Sequence, residues 1–339
     1  MRIAVDAMGG DYAPNEIVAG ALKYLASGDS EASIILVGDA ERIEGCLSDL
    51  NAGNAPLRVI HASQNVEMNE SPAVTLRKKR DSSIAVATRM AAKGEVDAIV
   101  SAGNTGALAA AALMEWELLP GVDRPAIATL IPGPFGATVL LDAGATVNCK
   151  AVNLVQFAKM GSCYARHVLK KTHPVVGLLS VGEEDEKGNR ETREAHALLK
   201  ESPLHFYGNV EGQDIFLGKV DVIVCDGFVG NVALKVMEGM ASGIQTMVSH
   251  PQSNKYGFSR LFTSFFAQSP AQEIRRHFDV RKFGGAPLLG VNGTCIIAHG
   301  NSHADALCAA IFRAQEIVTQ DLNRYIAEAL IQPQEIDKK

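Results

Sequence analysis

The sequence predicts an open α/β fold, a mostly parallel sheet with helices on both faces. Three observations carry this. Short apolar, β-branched runs recur along the whole chain. Longer Ala-, Leu- and Lys-rich stretches of helical period separate most of them, the alternation that builds parallel sheets. Two of the runs, VDAIVS and VDVIVC, are nearly continuous in apolar character, as suits strands buried on both sides.

The predicted strands cover 2–7, 34–37, 59–62, 96–101, 126–131, 138–142, 175–180, 220–225 and 294–298. Residues 1–330 read as one domain with no repeat or low-complexity linker, and 331–339 as a polar tail. One segment breaks the alternation. From 241 to 282 no strand is predicted, and Tyr256, Phe258, Leu261, Phe262, Phe265 and Phe266 recur at near-helical spacing. A helix so patterned can cover a core, form a dimer face or lie on a membrane, where Phe258, Phe262 and Phe266 would make the contact.

At 339 residues, 47% hydrophobic and 21% charged, the chain is an ordinary globular protein with a sizeable core. A net charge of −6 argues against general nucleic-acid binding, which needs a basic surface, but leaves room for a local basic patch. The six cysteines are scattered without a CxxC pair, so buried reduced thiols are expected rather than disulfides or zinc ligands. The opening MRIAVDAMGGD reads as a strand and turn rather than a secretory leader. No apolar run approaches the roughly 18 residues of a membrane span, and a cytoplasmic location is expected.

Six predicted strands end in Gly-rich or polar turns, and ligands of open α/β sheets bind at the carboxyl ends of strands. The first turn holds Asp6, Gly9, Gly10 and Asp11, the paired glycines allowing close approach of a ligand. The second, Ser101-Ala-Gly103-Asn104-Thr105-Gly106, opens an Ala-rich helix. Two readings fit it: a cradle in which amide N–H groups hold a phosphate, or a helix merely capped by Asn104 or Thr105. The others carry Asp142 to Cys149, then Glu183, Glu184 and Lys187, then Asp226, Gly227, Gly230, Asn231 and Lys235. The last predicted strand runs into His299-Gly300-Asn301-Ser302-His303. His299 and His303 lack a third ligand at helical spacing, so a turn role is expected and no metal is assigned. Asp6, Asp142 and Asp226 fit either Mg²⁺ chelation or turn and cap roles. Neither G-x-G-x-x-G nor a P-loop occurs, so no cofactor is expected.

Basic residues run together at Arg77, Lys78, Lys79 and Arg80, with a second group at Arg275, Arg276, Arg281 and Lys282. Such runs are solvated faces or docking sites for an acidic protein. Asp81-Ser82-Ser83 then reads as the N-cap of a helix.

Taken in order, these turns resemble the phosphate acyltransferases that use acyl carrier protein as donor. The matching blocks are DAMGGD at 6–11, SPAVTLRKKRDSS at 71–83, SAGNTGAL at 101–108, RPAIATLIP at 124–132, LLDAGATVNC at 140–149, LLSVGEEDEKG at 178–188, VDVIVCDGFVGNVALK at 220–235 and GGAPLLGVNG with AHG at 284–300. Asn148 stands where the family more often has Asp. The resemblance implies a homodimer with a three-layer α/β/α, Rossmann-like fold related to phosphotransacetylases and isocitrate/isopropylmalate-type dehydrogenases. It implies transfer of a fatty acyl group from acyl carrier protein to inorganic phosphate, in some members at the membrane. The acyl phosphate then goes to a membrane glycerol-3-phosphate acyltransferase.

That chemistry needs a bound phosphate, a positioned thioester and donors for an oxyanion, but no protein nucleophile. The expected phosphate site is Ser101, Gly103, Asn104, Thr105 and Gly106, with Asn104, Asn231, His299 and Lys187 as catalytic candidates. Asp6, Gly9, Gly10, Asp142, Glu183, Asp226 and Gly227 are expected around the substrate, and Arg77 to Arg80 at the carrier-protein contact. A covalent route through Cys149, an isocitrate-type oxidoreductase and a non-catalytic carrier-protein or membrane scaffold are the competing readings.

Overall fold

A computed structural model of the chain describes residues 1–52, 55–134, 136–249 and 284–331 and places every predicted run in a strand. The first part runs β1 (Arg2–Asp6), α1 (Asn15–Ala26), β2 (Ser33–Gly38), α2 (Ala40–Asp49), β3 (Leu57–His61), α3 (Pro72–Lys78), α4 (Ser83–Ala92), β4 (Ala98–Ser101) and α5 (Thr105–Glu115). Next come β5 (Ala126–Gly133), β6 (Gly136–Leu141), α6 (Ala151–His167), β7 (Val175–Leu179), α7 (Arg190–Lys200), β8 (His205–Val210), α8 (Asp214–Leu217), β9 (Val222–Val224) and α9 (Gly227–Ser249). The described chain closes with β10 (Ala286–Leu289), β11 (Cys295–Ile297), α10 (Ala304–Thr319) and α11 (Leu322–Ile331). Phe258, Phe262, Phe266 and the basic group at 275–282 lie outside the described residues.

The eleven strands of the described residues form one sheet in the order β3-β2-β1-β4-β11-β10-β5-β6-β9-β7-β8. Successive side chains point to opposite faces, so each strand feeds two cores. Ile3 and Val5 join a cluster that includes Phe157, Tyr164 and Leu307, while Ala4 joins Leu108 and Trp116. Helices thus cover both faces. The strands β8 and β10 were not predicted. Four of the six β8 residues alternate between exposed and half-buried at the sheet edge, and β10 is only four residues, holding Pro287 between glycines, so neither reads as a β-branched apolar run.

The sheet is not parallel throughout, and this changes the site. β3, β2, β1, β4 and β11 run together. β10 opposes both β11 and β5, and β5 opposes β6. β6, β9, β7 and β8 then run together the other way. The six polar turns therefore do not leave one edge, as a wholly parallel sheet would have them. Those after β1, β4 and β11 leave one edge, and those after β6, β7 and β9 leave the other.

Candidate active site

At the first edge, the turns after β1 and β4 are locked together from below. Asp6 is buried at the end of β1; its Oδ2 accepts the Ser101 hydroxyl at 2.6 Å and its Oδ1 the Met8 N–H at 3.1 Å. Ser101 Oγ in turn accepts the Gly103 N–H at 3.0 Å. Burial pushes the Asp6 carboxyl up from the ordinary carboxylate range, against the pull of the Ser101, Ser83 and backbone hydrogen bonds. Both polar functions of Ser101 are thus spent on shaping the turn.

Only glycine fits where the turns meet. A Cβ on Gly9 would lie 2.5 Å from Asp6 Oδ2 and 2.6 Å from Gly103 N. Gly10 has φ +101°, and a Cβ there would lie 2.9 Å from the Gly300 carbonyl oxygen. The turn after β11 is tied to the same place: Asp11 N–H donates to Gly300 O at 2.8 Å and Ala298 N–H to Ser101 O at 2.8 Å. His299 is thereby brought beside the turn at 101–106.

Asn104 is the N-cap of α5, its Oδ1 accepting the Ala107 N–H at 2.9 Å. Its Nδ2 donates to the carbonyls of Glu67, Met68 and Glu70 at 3.3, 3.0 and 3.2 Å. The side chain is therefore a tether as well as a cap. The next two residues, Thr105 and Gly106, are exposed, and their amides have no hydrogen-bond partner among the described residues. They point out of a helix N-terminus, where the backbone dipole favours an anion.

The N-terminus of α9 is different. Asp226 Oδ1 accepts the N–H groups of Phe228 and Val229 at 2.9 and 3.0 Å, and its carbonyl accepts that of Gly230 at 2.9 Å. Gly227 N–H donates to Thr146 O at 2.9 Å. This helix start is filled by its own carboxylate, so Asp226 serves as the cap.

Asp142, at the end of β6, is fully buried and gathers four amides. Its Oδ1 accepts those of Ile127, Gly144 and Ala145 at 2.8, 3.0 and 2.9 Å, and its Oδ2 that of Thr146 at 2.6 Å. Burial still pushes its carboxyl up. Gly227 presses on it, since a Cβ there would lie 2.5 Å from Asp142 Oδ2, and Asn231 lies over Gly144. Glu183 pairs with Lys219 at 2.8 Å, while Lys187 is exposed and unpaired among the described residues. No hydrogen bond or ion pair among the described residues joins either to the turn at 101–106.

The two edges are joined along α9. Asn231, Lys235 and Glu238 stand at i, i+4 and i+7, on one helical face. Lys235 Nζ meets Glu238 Oε2 at 2.8 Å, and His299 Nε2 faces the same oxygen at 3.4 Å. His299 and then Lys235 pull the Glu238 carboxyl down to about 2 against partial burial. Glu238 was absent from the sequence-derived candidates, although its spacing from Asn231 and Lys235 was the available signal. Gly227 to Glu238 is about 16 Å of helix, long enough to cross from one strand edge to the other. His303 takes different partners, stacking on Tyr12 at 4.7 Å and facing Glu16 at 3.6 Å.

Two further expectations are altered. Ser82 is the N-cap residue of α4 but its side chain makes no capping bond, and Asp81 instead accepts from Ser63 N–H and Oγ at 2.9 and 2.5 Å. Cys149 is pushed up to about 12 by burial, so it is a thiol at neutral pH and poorly suited to nucleophilic attack. Among the described residues, no helix is long and apolar enough to cross a membrane.

The fold is that of the phosphotransacylases. A phosphotransacetylase from Streptococcus pyogenes superposes with a TM-score of 0.60 over 94% of both chains at 18% identity. The 4-hydroxythreonine-4-phosphate dehydrogenase of Klebsiella pneumoniae follows at 0.52, covering 94% of this chain and 97% of that one at 14% identity. Residues 1–325 match the profile of a family described as fatty acid synthesis protein. The phosphate acyltransferase of Heliobacterium modesticaldum is 48% identical over 97% of each chain. The chain belongs to this phosphate acyltransferase family and is an acyl-transferring enzyme, which sets aside the oxidoreductase and scaffold readings.

Proposed function

We propose that the enzyme moves a fatty acyl group from acyl carrier protein to inorganic phosphate, releasing acyl phosphate and the free carrier thiol. The observation that carries the reading is the pair of unpartnered amides of Thr105 and Gly106, on a glycine-built turn braced by Asp6 and Ser101. Phosphate held there attacks the thioester carbon with one oxygen. A tetrahedral oxyanion forms, then collapses as the C–S bond breaks. The thiol, with a pKa near ~8.5, leaves as thiolate without strong acid help.

His299, half-exposed beside the cradle, orients the phosphate or the carbonyl, and Glu238 fixes its ring. Asn231 lines the same face of α9. The chain acts as a homodimer. In support, Phe228, Val232, Val236 and Met240 form an exposed apolar stripe at four-residue intervals along α9. A peripheral contact with the membrane would bring the product to the glycerol-3-phosphate acyltransferase that consumes it.

The test is release of free carrier from palmitoyl-acyl carrier protein, with acyl phosphate trapped as hydroxamate. Release should require phosphate and give the trapped product in equal amount. Release that ignores phosphate, or none from folded protein, refutes the proposal.

A further inference from the structure

The basic run at 77–80 separates into one structural residue and three free charges. Lys79 Nζ bonds both oxygens of Glu70 at 2.7 and 2.8 Å and the Asn65 carbonyl at 3.0 Å. Arg77, Lys78 and Arg80 are exposed and form no ion pair among the described residues. Two large apolar side chains of the same segment also stand open, Val74 at 53% and Met68 at 48% exposure.

This ridge abuts the phosphate cradle. A Cβ on Gly106 would lie 2.7 Å from Pro72 Cγ, and one on Gly300 3.0 Å from Met68 Cε. Asn104 holds the carbonyls of Glu67, Met68 and Glu70. Between Met68 and the turn after β1 opens a cleft of about 110 Å³, also lined by Gly10, Arg42, Asn65 and Glu67. Arg42 has no carboxylate partner among the described residues and reaches only the Ala13 carbonyl, at 3.5 Å.

We propose that Arg77, Lys78 and Arg80, with Val74 and Met68, form the docking surface for an acidic carrier protein, and that Arg42 receives the phosphodiester of its thioester arm. This rests on the proposed reaction. Charge complementarity selects an acidic partner, and the cleft beside Met68, which reaches Gly10 at the turn after β1, selects one that delivers a tethered thioester. An anionic lipid surface would meet the charges but would have no use for the cleft.

The test reverses the ridge charges together, Arg77→Glu with Lys78→Glu and Arg80→Glu, with Arg193→Glu on α7 as a charge control and the uncharged Val74→Asn as an independent variant. The KM for the acylated carrier should rise about tenfold or more in the triple variant, and its dependence on salt should flatten. The KM for phosphate should stay at the wild-type value, and the α7 control should match wild type throughout. Val74→Asn should raise the same KM without altering the salt dependence. A folded triple variant with the wild-type KM for carrier overturns the docking surface and leaves the reaction standing. So does unchanged carrier KM with lost pelleting on phosphatidylglycerol vesicles, which would assign the ridge to lipid. If wild type fails to release carrier with phosphate, the reaction is wrong. Calorimetric binding of the holo carrier to wild type and triple variant then decides the docking surface alone, equal affinities refuting it.

Discussion

Gly9→Ala isolates what the interlocked turns do. The added methyl would lie 2.5 Å from Asp6 Oδ2, 2.6 Å from Gly103 N and 2.9 Å from Gly103 Cα, where ordinary contact begins at 3.4 Å. Asp6 cannot give way cheaply, because its carboxylate is buried and held by Ser101 and Met8. Gly103 must therefore move, by something approaching ~1 Å, and the amides of Thr105 and Gly106 follow it. A misplacement of about 1 Å at a positioned reactant costs on the order of 10²-fold in rate. Overpacking of this kind costs about 1–3 kcal/mol of stability, well inside the 5–15 kcal/mol typical of a folded domain. Steady-state kinetics in phosphate should show kcat falling by about two orders of magnitude and KM rising, in a protein that still unfolds cooperatively. Gly45→Ala is the control: no atom lies within 4 Å of its added methyl, so kinetics should be unchanged. A folded Gly9→Ala enzyme with wild-type kcat and phosphate KM would refute the cradle.

The other perturbations test the brace and the bridge. Asp142→Asn keeps an acceptor for three amides but turns an N–H toward that of Thr146; relief of carboxylate burial offsets part of the loss, and about 2–4 kcal/mol should disappear from the urea unfolding free energy. An unchanged midpoint and slope would contradict that role. Glu238→Gln removes a carboxylate held near about 2, below its ordinary 4.5, so wild type should exceed the variant by about 1–2 kcal/mol above pH 4.5. Since the folded value is the lower one, that advantage should fade as the pH drops from 4.5 through 2, and a difference constant with pH would argue against the ion-pair cluster.

The fold was legible where burial writes itself locally. VDAIVS and VDVIVC become β4 and β9 because a central strand covered on both faces must be apolar throughout. The reversal of strand direction was legible too, but only in a spacing. The runs at 126–131 and 138–142 are separated by six residues rich in Pro and Gly, too few for a parallel crossover of a dozen or more. A hairpin was the one connection available, and with it the division of the polar turns between two edges. Lys79 and Asn104 were legible as residue types but not in their partners. Glu70 meets Lys79 across the ends of α3, and the carbonyls of Glu67, Met68 and Glu70 reach Asn104 only through the packing of α3 on α5, which no local pattern encodes.

The difference between the starts of α5 and α9 lies in one choice of cap. A neutral Asn104 takes a single amide of its helix and turns its NH₂ away, leaving two amides open; a charged Asp226 takes two amides and brings its own anion. Asn104→Asp should therefore convert the first arrangement toward the second. Asp is as good a cap as Asn, so the helix keeps its start. The new charge, about 5 Å from a bound phosphate at an effective dielectric near 20, opposes binding by up to about 3 kcal/mol per unit charge before screening. The phosphate KM should rise about 10- to 100-fold. Loss of the NH₂ tether to residues 67–70 also weakens the site, and Asn104→Ser separates the two effects, since serine caps without charge and also lacks the tether. If the charge matters, the Asp variant has the far higher phosphate KM and added salt narrows the gap. If both variants share one phosphate KM, the open amides of α5 are not where phosphate binds.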